Sequence, residues 1–238
     1  MKSKRSYSVL LLIRVFSFRY EVFGVRGLAI TGEFMERSLL KRSIVSIIDT
    51  ERVISRGFMS LTLEDLEKMQ QQYPDYRMEL VKGNIIVSSP SGYESDEIAA
   101  AMIAELRNWV RPRKLGRTAA SSAGFRLPNS DLRAPDASFV LAERLRRSPK
   151  SFAQLAPDLT VEVKSPSDNL EDLRAKIQEF LSLGTKVGIL LNPDERIVEV
   201  YNIGQEAIIF RDGNILTVPD LLPGWEVPIA DLWPLEFD

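Results

Sequence analysis

Pro135-Asp136-Ala137-Ser138-Phe139-Val140-Leu141 and Thr160-Val161-Glu162-Val163-Lys164 are the two stretches whose reading decides the fold. Both are short, rich in β-branched or aromatic residues and bounded by Pro, Asp or Ser, which predicts two strands. Side chains alternate along a strand, so Val161 and Val163 face one way while Thr160, Glu162 and Lys164 face the other. An acid and a base therefore project from one face. If the strand headed by Asp136 lies beside it, a second carboxylate joins them. Clustered carboxylates repel unless a cation or a proton relieves them, so the pattern raises a metal site.

Composition narrows the chemistry. The chain has 238 residues, 45% hydrophobic and 27% charged, enough for one well-cored domain with additions. It contains no Cys, which excludes disulfides, zinc-thiolate sites and thiol nucleophiles. It contains no His either, which removes the usual general base near neutral pH and every Ser-His-Asp triad. Catalysis must then draw on carboxylates, Lys, Tyr, Ser or a bound ion, and an all-oxygen site favours Mg²⁺ or Mn²⁺ over Zn²⁺. No apolar run approaches the ~18 residues of a membrane span. The net charge of −2 hides an asymmetry: residues 1–58 carry +6 and residues 59–238 carry −8. An acidic body is a poor match for nonspecific DNA binding, which rests on Lys and Arg, but it leaves room for a basic cleft.

Outward from the two strands, the chain reads as follows. Residues 1–58 are expected to be an N-terminal extension, disordered or translated from an upstream start, and unnecessary for the domain that begins at Met59. Lys2, Lys4 and Arg5 before Val9-Leu10-Leu11-Leu12-Ile13 look like a secretory leader, but Arg14 breaks the run and no small-residue cleavage site follows. Thr62, with Asp65 three residues on, predicts a capped helix with Leu63, Leu66 and Met69 on one face, ended by Pro74. Tyr76 to Val81 and Ile85 to Val87 flank Lys82-Gly83-Asn84 as a β-hairpin. Glu79 lies in its first strand and, taken alone, reads as a solvent-facing residue. Ser95 is expected to cap a helix to about Val110 with Ile98, Met102 and Leu106 inward. Arg111-Pro112-Arg113-Lys114-Leu115-Gly116-Arg117 is either a solvated helix end or a phosphate-contacting patch.

Gly124-Phe125-Arg126-Leu127-Pro128 reads as a strand, and Glu143 to Pro157 as an exposed basic helix or loop. After Lys164, Ser165-Pro166 stops the strand. Ser167 to Asn169 offer caps for a helix over Leu170 to Leu183, with Leu170, Leu173, Ile177 and Phe180 inward and Gly184 as its stop. Its N-terminus, near the proposed site, suits an anionic group. Val187 to Leu191, Ile197 to Tyr201, Ala207 to Phe210 and Ile215 to Val218 read as further strands in a meander. The tail from Leu221 to Trp233 carries apolar anchors expected to pack on the body.

With these residues in hand, the chain resembles the PD-(D/E)XK nuclease superfamily, and within it the bacterial Uma-type restriction-endonuclease-like proteins. The resemblance runs from about Met59 to Trp233. It rests on seven stretches in order, among them Arg77-x-Glu79-Leu80, Ser88-Ser89-Pro90-Ser91-Gly92, Arg133-Ala134-Pro135-Asp136-Ala137, Glu162-Val163-Lys164-Ser165-Pro166, Asp172-Leu173-x-x-Lys176 and Leu191-Asn192-Pro193. It departs where family members often carry a His, here Tyr93-Glu94-Ser95-Asp96, and a Tyr-Trp pair, here Val187-Gly188-Ile189.

The resemblance implies a mixed α/β fold with a restriction-endonuclease-like core, a central mixed sheet flanked by helices, over residues 59–238. It implies a cytoplasmic Mg²⁺-dependent endonuclease, with Mn²⁺ as a substitute, hydrolysing phosphodiester bonds in nucleic acid, DNA first. Asp136 and Glu162 would be metal ligands, Glu79 a third acidic residue, and the Val163 carbonyl a further ligand. Lys164 would orient the attacking water or stabilise developing charge, and Lys176, Arg126, Arg113 and Lys114 would contact phosphate or nucleic acid. A homodimer would fit double-strand cleavage, and no membrane is implied. The alternative is a nuclease-fold binding or regulatory protein with little or no catalysis, because fold alone does not establish activity.

Overall fold

A computed structural model describes residues 14–16, 60–88 and 90–237. The chain divides into two units, Met1–Ser89 and Pro90–Asp238. Apart from residues 14–16, the expected N-terminal extension lies outside the described residues.

In the first unit, strand β1 (Arg14–Phe16) precedes helix α1 (Leu63–Gln72) and the strands β2 (Arg77–Val81) and β3 (Asn84–Ser88). Thr62 and Asp65 form the expected reciprocal capping box: the Asp65 N–H donates to the Thr62 hydroxyl and the Thr62 N–H to the Asp65 carboxylate. β2 and β3 pair antiparallel, and β1 runs parallel to β3. The hairpin loop is one residue tighter than the sequence suggests, because Asn84 already pairs with Val81. Lys82 and Gly83 both take positive φ, the backbone a two-residue turn demands of a right-twisted hairpin.

The second unit contains helix α2 (Tyr93–Val110), then β4 (Gly116–Ala120), β5 (Phe125–Arg126), β6 (Leu132–Arg133), β7 (Ala137–Leu141) and β8 (Leu159–Val163). Helix α3 (Leu170–Ser182) leads to β9 (Val187–Asn192), β10 (Ile197–Asn202), β11 (Ile208–Arg211), β12 (Ile215–Thr217), β13 (Glu226–Pro228) and a 3-10 turn over Ile229–Leu232. Six strands make one mixed sheet in the order β11-β10-β9-β8-β7-β4. β8 and β9 run parallel, since a helix carries the crossover between them, and the remaining pairs are antiparallel.

Strand alternation sorts this sheet into two faces. Phe139, Leu159, Val161, Val163, Ile189 and Leu191 join the α2 stripe of Ile98, Met102, Leu106 and Val110 in one buried cluster. The tail anchors Leu221, Leu222, Trp225, Leu232 and Trp233 pack into the same cluster, as expected from their spacing. On the opposite face, Leu190 and Tyr201 meet Leu173, Ile177 and Leu181 of α3. Gly188 lets that helix come close: a Cβ built there would stand 2.3 Å from Ile177 Cγ2. This is the strand where the resemblance would place an aromatic pair, and the close approach of Ile177 explains why a large side chain has no room at Gly188. With both faces covered, all five residues of β8 are buried.

The sequence reading needs three corrections. α2 starts at Tyr93 with Gly92 as its N-cap, and the Ser95 hydroxyl donates to the Gly92 carbonyl instead of capping the helix. β4, a small-residue strand without a hydrophobic period, was not foreseen; it forms the edge of the sheet beside β7. β12 does not extend the meander but pairs with β13 in a separate two-stranded sheet, which fixes the tail. Of the two alternatives read for residues 143–157, helix or loop, the structure shows turns and loop, with Ala153 bridging to Phe125. Among the described residues no helix is long and apolar enough to cross a membrane.

α3 carries its own counterions onto the sheet. Arg174 Nη2 lies 2.6 Å from Glu199 Oε1 and its Nε 3.0 Å from Oε2, while the Tyr201 hydroxyl also donates to Glu199. Burial pushes the Glu199 carboxyl up, but the hydrogen bonds from Arg174 and Tyr201 outweigh it and hold it below the usual carboxylate value. Burial, then the hydrogen bond to Glu199, pushes the Tyr201 phenol up from 10.0 to about 12. A phenol kept neutral to higher pH in the fold than in the unfolded chain contributes stability that is full below pH 10.0 and is lost as pH rises towards about 12. The phenolate absorbance difference between the wild type and Tyr201→Phe should therefore show a midpoint near 12. A midpoint near 10.0 would mean the triad is not closed in solution.

Candidate active site

The site grows from the end of β7. Pro135 has no N–H to donate, so β7 begins after it, and the Asp136 N–H makes the first cross-strand bond, 3.0 Å to the Val161 carbonyl. The Asp136 side chain then continues the ladder: its Oδ2 accepts the Val163 N–H at 2.9 Å. The carboxylate is thus fastened to the peptide that joins Glu162 to Val163. Asp136 and Glu162 come together at one end of two adjacent strands, and Asp136 remains partly exposed.

Glu162 lies on the α3 face and is only 2% exposed. A carboxylate removed from water in this way costs on the order of several kcal/mol unless a partner compensates it. Lys176 of α3 is that partner, with its Nζ 2.9 Å from both Glu162 oxygens and 3.3 Å from the Ala134 carbonyl oxygen. Lys176 precedes Ile177 on the helix, so the stripe that docks α3 on the sheet also delivers the ammonium.

Lys164 follows β8. Its backbone N–H donates to the Leu191 carbonyl at 2.9 Å, which prolongs the parallel pairing with β9. Its Nζ reaches 2.6 Å to Asp194 Oδ2, in the turn after β9. Asp194 is an exposed carboxylate between β9 and β10 that the sequence reading did not single out. Its pairing with Lys164 depends on β8 and β9 being parallel, which brings both strand ends to one side, and local sequence carries no sign of that. Just beyond Lys164, the Asp168 carboxylate accepts from the Ser165 N–H and hydroxyl at 2.9 and 2.6 Å. Asn169 then caps α3 by accepting the Glu171 N–H at 2.8 Å, so the expected helix start at the site is realised.

Of the other sequence candidates, Glu79 belongs to the first unit, half-buried on β2 and opposite Ile86. Arg126 is exposed on β5. Arg113 stacks its guanidinium 3.3 Å above the Trp109 ring, and Lys114 is exposed with positive φ. Lys176 is engaged by Glu162.

These donors are hard oxygens, the kind Mg²⁺ takes, and that ion binds through one or two carboxylates while keeping several waters. Asp136, Glu162 and the Val163 carbonyl fit such a partly hydrated ion. Among the described residues no group of three acidic side chains forms a ready cage. Glu162 already balances one positive charge, so a metal would have to share it with Lys176 or displace Lys176 from it.

The sequence model of the Uma2 family, described as "Putative restriction endonuclease", matches residues 63–230. Among solved structures, the chain is similar to a "putative nuclease belonging to DUF820" from Anabaena variabilis ATCC 29413, at 25% identity and a TM-score of 0.64. That match covers 72% of this chain and 97% of the other. No curated protein matches the chain in sequence.

The Asp136 fastening predicts how two substitutions differ. Asp136→Ala leaves the Val163 N–H without its acceptor and should cost about 1–3 kcal/mol, a fall in Tm of roughly 2–4 °C per kcal/mol. Asp136→Asn keeps an acceptor oxygen and should melt close to the wild type. Equal melting of the two variants by calorimetry would show that the bond contributes nothing.

Proposed function

The chain belongs to the Uma2 family, and we propose that it is a Mg²⁺-dependent endonuclease acting on DNA. The family and the similar solved structure support a nuclease-like function. The metal, the substrate and the residue roles are our reading. The observation that carries it is the bond from the Val163 N–H to Asp136, which fastens the Asp136 carboxylate to the backbone beside Glu162 at one end of β7 and β8.

In this reading Asp136, Glu162 and the Val163 carbonyl hold the ion. When bound, Mg²⁺ supplies a Lewis acid for a phosphoryl oxygen and makes a coordinated water acidic enough to act in a chain without His. Lys164 places a donor at the mouth of the same strand, where it stabilises negative charge developing on the phosphate. Asp194 orients the Lys164 ammonium. Lys176 neutralises the buried Glu162 carboxylate in the absence of metal and gives up part of that role when the ion enters.

A second reading, a nuclease-fold binding protein without catalysis, is favoured by the Lys176 ammonium that already neutralises the buried Glu162 carboxylate. Calorimetric titration of Mg²⁺ and Mn²⁺, with plasmid nicking followed in the same buffers, separates the two. Asp136→Asn and Glu162→Gln should weaken metal binding by about 10–100-fold and abolish nicking. Lys164→Ala should bind metal normally and nick about 10²–10³-fold more slowly. A wild-type protein that binds duplex DNA but neither metal would establish the second reading.

A further inference from the structure

The cations of the second unit fall into two populations. Arg144, Lys164, Arg174, Lys176 and Arg196 each rest on a carboxylate. By contrast, Arg107, Arg126 and Arg211 are exposed and make no ion pair among the described residues, and the same holds for five more: Arg111, Lys114, Arg146, Arg147 and Lys150. These five come from two stretches well separated in sequence, and Arg117 fastens the stretches together. Its Nε donates to the Leu145 carbonyl at 2.9 Å, its Nη2 to the Arg146 carbonyl at 2.7 Å and its Nη1 to the Ser148 hydroxyl at 2.9 Å. All three acceptors are neutral, so none of these bonds sets a carboxylate against the Arg117 guanidinium. The Ala142 N–H closes the same junction on the Leu115 carbonyl at 2.9 Å.

We propose that this fastened pair of segments, Arg111–Arg117 with Arg146–Lys150, is a phosphate-binding surface for duplex DNA, separate from the candidate active site. The proposal rests on the nuclease reading. Residues 59–238 carry a net charge of −8, yet Glu143 is the one acidic residue in segments 107–117 and 142–150. A concentration of cations against the charge of the body is what a regularly spaced polyanion selects, and surface folding alone does not require it. The surface is also preorganised: Arg113 is stacked on Trp109 and donates to its carbonyl at 3.2 Å, so it has less side-chain freedom to give up on binding.

Register gives its place. Gly116 stands opposite Leu141 and Arg117 opposite Val140, so the cations gather at the far end of β7 from Asp136. Five residues of strand separate the two, about 17 Å at ~3.3 Å per residue, or roughly five base-pair steps. Interactions there go to phosphates, so they set register and affinity and read no sequence.

The test is fluorescence anisotropy of a labelled duplex with the full chain in EDTA, where no metal-dependent cleavage proceeds, over a series of salt concentrations. The triple variant Arg146→Ala/Arg147→Ala/Lys150→Ala should bind at least tenfold more weakly at low salt. Its plot of log affinity against log salt should be shallower by about 0.9 for each phosphate that the variant no longer neutralises. Arg111→Ala/Lys114→Ala should act in the same direction, whereas Lys68→Ala, an exposed lysine paired with Glu64, should bind like the wild type. Circular dichroism confirms that the variants remain folded. Patch variants with wild-type affinity and slope would overturn this surface and leave the nuclease reading intact. A wild type that binds no duplex, or that binds only an acidic protein, would overturn it as well, while the metal titration and nicking assay test the nuclease reading separately.

Discussion

A carboxylate buried in the middle of a sheet has to be neutralised, and the second unit is built around meeting that demand at Glu162. At 2% exposure the side chain has almost no water, and the Lys176 ammonium 2.9 Å away offsets its charge. That constraint fixes α3. The helix must lie close enough to β8 for a lysine to reach the strand, which is why Gly188 presents no side chain to Ile177. The same helix brings Arg174 to Glu199 and Glu179 to Arg133. α3 is therefore a plate of counterions as much as a hydrophobic cover, and α2 supplies the purely apolar counterpart on the other face.

Stability and chemistry compete at this point. An ion pair as deeply set as Glu162–Lys176 is poor at contributing net stability, since desolvation consumes most of the Coulomb gain. Two hydrophobic residues would fill the space at lower cost. Keeping a carboxylate on the central strand, beside a second one fastened by the Val163 N–H, makes sense for a protein that uses negative charge there. The Lys164–Asp194 pair follows the same logic at the rim, where the lysine is mostly covered and its acid is exposed. Lys164 and Lys176 thus each have an acidic partner, and a bound cation would have to redistribute those partnerships.

Much of this was legible in the sequence because the deciding signals are local. The alternation of Val161 and Val163 against Thr160, Glu162 and Lys164 placed the acid opposite the hydrophobic face. The Asn169 cap and the spacing of Leu173, Ile177 and Phe180 defined α3, and the order of motifs pointed to the family that the residue 63–230 match establishes. What was not legible depends on pairings between distant residues. The role of Lys176 as the neutralising partner of Glu162 needs the docking of α3, and that of Asp194 needs the parallel pairing of β8 with β9. β4 lacks a hydrophobic period because its small residues sit at a sheet edge, where packing imposes little pattern. Ser95 matched a cap by type, but the backbone turned earlier, at Gly92, and a hydroxyl within the first helical turn has no free N–H ahead of it to accept from.

The most direct test of the central claim, that Asp136 and Glu162 form a cation site guarded by Lys176, is anomalous diffraction from crystals grown with Mn²⁺. The account predicts one anomalous peak within coordination distance of both carboxylates, with the Lys176 ammonium shifted away from at least one Glu162 oxygen. Diffraction showing no peak there, with Lys176 still on both oxygens at saturating Mn²⁺, would contradict it and leave Glu162 as a structural charge.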